Sequence, residues 1–244
     1  MNGAERPNDY RQIWDTKPVL RVVYTDFYRR IAQRLVSGQS LEIGGGSGNL
    51  KAFAPDVISS DVLAAEWLDL VCDAQAIPVS DASLSNIVMV DVLHHIERPI
   101  RFLREALRVL RPGGRIVLCE PAITPLSHPF YRWFHPEPVD MRADPLVDAP
   151  LSPDRDPWDA NQAIPTLIFR KEREAFAQAF PEFHVRENIR FSFFAYPASG
   201  GFRPWTLMPA ALARPLLKAE WSMRRLFGPL CAFRMLVTVE KHAQ

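Results

Sequence analysis

Three glycines at alternate positions, Gly44, Gly46 and Gly48, follow directly on Leu41-Glu42-Ile43. Two apolar residues flank an acid, and then the chain loses its side chains at every second residue. A strand that runs into such a stretch must turn sharply. Glycine reaches positive φ cheaply and lets another group touch the main chain. The stretch is therefore either a structural tight turn or a loop around a ligand.

The spacing separates the known ligand loops. A dinucleotide-binding loop has Gly-x-Gly-x-x-Gly, with the third glycine where helix and strand pack. Gly44 and Gly46 fit, but Asn49 stands in the third place. No Lys-Ser or Lys-Thr follows, which excludes a phosphate-cradling P-loop. The actual pattern, Glu-x-Gly-x-Gly-x-Gly from Glu42 to Gly48, resembles that of the class I S-adenosylmethionine-dependent methyltransferases.

The residues downstream strengthen that resemblance. Asp56 to Asp61, Leu70 to Asp73 and Asn86 to Asp91 each read as a short strand ending in an acid. The run at 86–91 is continuously apolar, as in a strand buried on both faces. Ligands of open α/β sheets bind at carboxyl ends of strands. Next, Pro99 fits the start of a helix carrying Ile100, Leu103, Leu107 and Leu110, and Arg111-Pro112-Gly113-Gly114 stops it before a strand at 115–120. The resemblance covers about residues 40–121.

The resemblance implies an α/β fold: a Rossmann-like, seven-stranded, mostly parallel sheet with helices on both faces. It implies S-adenosyl-L-methionine as cofactor. Gly44 and Gly46 would make room for its amino-acid portion, and Glu42 would touch the ammonium or fix the loop. Asp61 would accept both ribose hydroxyls, Val62 or Leu63 would lie beside the adenine, and Asp73 near its amino group. Ala74 and Asp91 complete the expected cofactor set. His95, just past the fourth strand, is the candidate general base, or else packs beneath the cofactor. Glu120, His128 and His135 are weaker candidates.

The chain departs from the minimal family in two places. A proline-rich, acidic stretch after the fifth strand carries Phe130, Tyr131, Trp133, Phe134 and Trp158, too aromatic for disorder. Asp159, Asn161 and Gln162 either orient a polar substrate or cap the chain. A sixth strand is expected at 191–194 and a seventh at 233–240, with a long segment between them rather than a tight turn. Over 203–234 that segment has six basic residues and one acid, among many large apolar ones. It reads as a helical layer over the pocket or as a basic face against an anionic membrane. The expected organisation is one domain over 1–244: a helical flap at 1–38, the cofactor core at 39–121, a lid at 122–168 and a helical insertion at 196–231.

Composition sets the remaining bounds. Apolar residues make up 48% of the 244, enough for a sizeable core, and the formal net charge is +1. Near-neutrality gives no bulk case for nucleic acid. Cys72, Cys119 and Cys231 are odd in number and scattered, which argues against disulfides and a zinc site. No metal is expected, since His128 and His135 lack a third partner at a suggestive spacing. No apolar leader and no membrane-spanning run is present, so a cytoplasmic protein is expected. The acceptor is read as a small or lipid-like molecule, with O-methylation favoured and peripheral membrane contact open. A nicotinamide-dependent dehydrogenase and a non-catalytic interaction module are the competing readings. Oligomeric state is not legible.

Overall fold

A computed structural model describes residues 6–242. Seven strands form one sheet in the order β3-β2-β1-β4-β5-β7-β6. They are β1 (Ser40–Ile43), β2 (Val57–Asp61), β3 (Leu70–Val71), β4 (Leu84–Val90), β5 (Leu110–Pro121), β6 (Phe183–Phe191) and β7 (Arg234–Lys241). Strands β1 to β5 pair in parallel, and β7 runs antiparallel to both β5 and β6. The mixed, mostly parallel sheet agrees with the expected architecture.

Period-two alternation sorts the sheet's side chains onto two faces. Ile87, Met89, Ile116 and Leu118 join one core with Leu103 and Ala106 of α3 (Pro99–Val109). Val88, Val117, Cys119 and Leu236 join the other, with Val23, Phe27 and Ile31 of α2 (Pro18–Ala32). Both faces are covered, so the central strands carry continuous apolar runs at 87–90 and 116–119. Before α2 lies α1 (Arg6–Thr16), and residues 1–5 of the expected flap lie outside the described residues.

Two long connections leave the sheet. The first holds α4 (Ser127–Phe134), a short α5 (Ile164–Thr166) that runs into a π turn at Leu167–Lys171, and α6 (Arg173–Ala179). Its extended part is pinned to α3. Arg101 and Arg104 pair with Asp148, while the Ser152 amide and hydroxyl donate to Glu97. The second connection holds α7 (Ala195–Ser199) and the long α8 (Ala210–Cys231), which packs on α2 and β6.

Two strand boundaries differ from expectation. The sixth strand covers 183–191, not 191–194. It is the sheet's edge, and its Arg, Glu and Asn residues hide the strand signal behind a solvated face. The aromatic run lies past its end, after Ser192 takes a positive φ of 59°. Strand β5 starts at Leu110, and its pairing with β4 breaks between Leu84 and Asn86, where Gly113 turns at φ 77°.

Arg234, at the start of β7, is fully buried. It pairs with Asp91 just past β4 and donates to the Cys119 carbonyl at 3.0 Å. Its guanidinium also lies 4.8 Å from the centre of the Tyr196 ring. Removing one partner of a buried pair strands the other charge. Arg234→Ala should therefore lower unfolding free energy by about 3 kcal/mol in denaturant titration, and an unchanged midpoint would contradict the ion pair's structural role.

Candidate functional site

The carboxyl ends of the parallel strands open into a cavity of about 550 Å³. Its floor is the glycine loop. Gly44, Gly46 and Gly48 have φ of 70°, 48° and 72°, so all three turns are left-handed. A Cβ on Gly44 would meet Val92 at 2.2 Å, which makes this glycine a packing requirement. A Cβ on Gly46 would meet nothing nearer than 3.9 Å, because it would project into open space beside the loop. Gly46 thus keeps room clear for a ligand, and Gly44 keeps room clear for the protein.

Asp61, at the end of β2, ties this loop down. One carboxylate oxygen accepts the Gly46 amide at 3.0 Å and the other the Leu63 amide at 3.1 Å. Each oxygen retains acceptor capacity for a ligand hydroxyl. The Trp67 indole donates to the Gly46 carbonyl at 2.7 Å and closes the outer side of the turn. Val62 is half-exposed at 49% and lines the cavity with Asp73 and Ala74. Asp73 also accepts the Gln75 amide, so part of its capacity serves a local turn.

Glu42 lines the same floor but is only 3% exposed. Burial pushes its carboxyl up to about 7, although a hydrogen bond from the Ser59 hydroxyl works against the rise. Asp91 is held differently. It sits at φ 58° and its carboxylate is occupied by the Tyr24 hydroxyl at 2.9 Å and by Arg234. It faces the cavity, yet its two strongest partners are protein groups.

The opposite wall is built around two adjacent histidines. Glu120, fully buried at the end of β5, accepts the Val92 and Leu93 amides at 2.9 and 2.8 Å with one oxygen. Its other oxygen meets His94 Nδ1 at 2.7 Å. His94 Nε2 lies 3.3 Å from Glu137. Burial alone would lower the His94 imidazole, but Glu120 and Glu137 outweigh it and raise it to about 10. His95 shows the reverse. Burial and its charged neighbour His94 push it down to about 4, so its imidazole stays neutral.

Tertiary structure brings in residues that no motif marked. Glu137 arrives from the loop after α4, and the buried Gln162 side chain donates to it. Tyr10 of α1 packs its ring on Trp158 and Phe202 across the cavity mouth. Lys17, between α1 and α2, donates to the Gly201, Arg203 and Trp205 carbonyls at 2.6–2.8 Å. The aromatic density of 10–28 and 130–134 was the visible signal for these walls. Glu137 had none, being one acid in an acidic loop. Of the two weaker histidines, His135 lines the cavity and His128 does not.

The donor set suits a cationic ligand. Asp61 and Asp73, joined by Glu42 where it ionises above about pH 7, line one wall with negative charge that would repel a pyrophosphate, while Arg234 neutralises Asp91. Only a single 3-10 turn, Asn49–Ala52, follows the loop, so no long helix offers its N-terminus to an anion. S-adenosylmethionine, with its ammonium and sulfonium, fits this wall: Gly46 leaves the space and Asp61 has the acceptors. The dinucleotide reading does not fit it.

Three outcomes are expected here. Asp61→Ala should weaken S-adenosylmethionine binding by about 1.5–3 kcal/mol, and a folded variant with unchanged affinity would refute the ribose assignment. Gly46→Val should abolish binding in calorimetry, because the added side chain fills the cradle and a β-branched residue is strained at φ 48°, and wild-type binding by a folded variant would contradict it. For Glu42, the sign follows from its raised folded value. Between pH 4.5 and about 7 the unfolded chain has lost a proton that the folded chain keeps. Its stabilising contribution is therefore complete below that window and falls by about 3 kcal/mol across it. The stability difference between wild type and Glu42→Gln, followed by denaturant unfolding from pH 5 to 8, should change by that amount. A constant difference would show the carboxyl ionised throughout.

Comparison with known proteins agrees with the geometry. Residues 41–118 match the family described as Methyltransferase domain. A tRNA (carboxymethyluridine(34)-5-O)-methyltransferase of Mus musculus is 42% identical over 52 residues, 20% of this chain and 8% of that protein. The chain thus matches less than a tenth of that relative's length. A demethylmenaquinone methyltransferase of Renibacterium salmoninarum is 27% identical over 172 residues, 59% of this chain and 70% of the relative. A solved SAM-dependent methyltransferase from Archaeoglobus fulgidus superposes with a TM-score of 0.53 at 16% identity, covering 91% of this chain and 94% of that one. A cyclase, SpnF, superposes at the same score and identity over 90% and 82%, so these superpositions speak to fold alone. Residues 41–118, and the sheet that carries them, are thus similar to a methyltransferase domain.

Proposed function

We propose that this protein transfers a methyl group from S-adenosylmethionine to a small or lipid-like acceptor held in the same cavity. The observation that carries the reading is the continuity of that cavity. A carboxylate-lined floor that suits the cofactor runs into an aromatic wall that suits an apolar acceptor. When bound, S-adenosylmethionine supplies a methyl group on a positively charged sulfur.

The residues' contributions follow from their positions. Gly46 and Asp61 orient the cofactor, and Tyr10, Trp158 and Phe202 exclude water from the mouth. His95 faces the acceptor side but is a poor proton store near neutral pH, since its value lies near 4. It would accept a hydrogen bond and position the acceptor. O-methylation is kept as the preferred reaction, because a hydroxyl can donate to a neutral imidazole. The expected lid at 122–168 and insertion at 196–231 would be the acceptor's cover.

The relatives' names point to different acceptors, a menaquinone precursor and a tRNA nucleoside. A net charge of +1 supports the first, since nucleic acid binding draws on many unbalanced cations. Exposed apolar residues support it too. Trp133 and Phe134 on α4 are 71% and 69% exposed, and Leu226 and Leu230 project from α8 beside Arg224 and Arg225. Among the described residues no helix is long and apolar enough to cross a membrane. Peripheral contact of α8 with an anionic bilayer is therefore part of this proposal.

Labelled S-adenosylmethionine incubated with cell extract should yield a labelled, organic-extractable product. Cofactor binding without any transfer would favour the non-catalytic reading. Wild type should pellet with anionic vesicles at low salt and less at high salt, whereas an Arg224→Glu, Arg225→Glu double variant should stay in solution. No pelleting at low salt would restrict α8 to covering the pocket.

A further inference from the structure

The cluster of His94, His95 and Glu137 has a second reading, independent of methyl transfer. Each offers one ligand atom, and all three atoms lie within 4.8 Å of one another. The two imidazole rings are 4.3 Å apart between centres. Ligands about 2.1 Å from a tetrahedral zinc ion sit about 3.4 Å apart, so small side-chain adjustments bring the three into coordination range.

The surroundings are those of a built site. Glu120 meets His94 Nδ1 and leaves Nε2 directed at Glu137, so an ion bound there displaces the Nε2 proton to solvent. A carboxylate on the far nitrogen of a ligating histidine orients the ring and raises its basicity. The Gln162 side chain holds Glu137 in place. His95 Nδ1 is buried without a hydrogen-bond partner, a cost that a bound cation would remove. All three residues line the cavity, so remaining coordination positions face the space assigned to the acceptor.

We propose that His94, His95 and Glu137 form a binding site for one divalent first-row transition-metal ion on the acceptor side of the cavity. Two imidazoles and one carboxylate suit zinc, iron or cobalt rather than magnesium or calcium, which prefer oxygen ligands alone. The site admits an acceptor bearing an oxygen that completes the coordination shell. That last point rests on the methyltransferase reading, whereas the metal site itself does not.

The test uses the full chain, stripped with chelator and titrated with zinc by calorimetry and with cobalt(II) by visible absorption. One ion per chain is expected, with cobalt bands of a nitrogen and oxygen site. His95→Ala and Glu137→Ala should each weaken binding at least tenfold. His184→Ala, at the other histidine pair near His242, should bind as wild type does. Absence of stoichiometric binding by wild type overturns the proposal whatever the variants' folding. So does binding that survives both His95→Ala and Glu137→Ala, or that is lost in His184→Ala. Metal binding with no S-adenosylmethionine binding would leave this site standing and remove the methyltransferase reading instead.

Discussion

Four carboxylates at the carboxyl ends of the sheet, Glu42 and Glu120 buried and Asp61 and Asp91 half-buried, organise the site around them. Glu42, Asp61, Asp91 and Glu120 all sit at or beside strand ends, where unpaired charge or unmet hydrogen bonding would be costly. Each is satisfied by something distant in sequence. Ser59 serves Glu42, the glycine loop serves Asp61, Tyr24 and Arg234 serve Asp91, and two loop amides with His94 serve Glu120. These bonds shape the loops into a cavity. The fold and the site are therefore one network of compensations.

The electrostatic consequences divide the cavity. Glu42 is buried with no full counter-charge, so its carboxyl prefers to be neutral and awaits a cation. His94 lies between two carboxylates and prefers to be charged. Its charge then keeps His95 neutral. A floor seeking positive charge and a wall holding a neutral imidazole beside an ion pair are distinct environments within one cavity. That asymmetry gives the one cavity two chemically different ends.

The closure over this cavity comes from three separate parts of the chain. Lys17 fastens the helical N-terminal region to the carbonyls of 201–205, and α3 anchors the long loop through Asp148 and Ser152. Aromatic rings from α1, the loop and the segment after α7 meet at the mouth. Apolar area and a few directed hydrogen bonds suffice there, since the covering elements need only exclude water.

Much of the core was legible in the chain itself because local chemistry dictates it. Glycine at 44, 46 and 48 follows from backbone geometry, continuous apolar runs at 87–90 and 116–119 follow from burial on both faces, and an acid at the end of β2 follows from what a strand end presents. The edge strand β6 was misplaced because its solvated face carries polar residues that mask alternation. Glu137 and Lys17 were invisible because their roles depend on partners more than 20 residues away, and Gln162 was visible only as a polar residue without its partner Glu137. The sheet's centre and the glycine cradle can be read from the chain because near neighbours set each residue's environment there. The pairing of Asp91 with Arg234 and the convergence of His94, His95 and Glu137 emerge only on folding, because electrostatic environment is a property of packing across the fold.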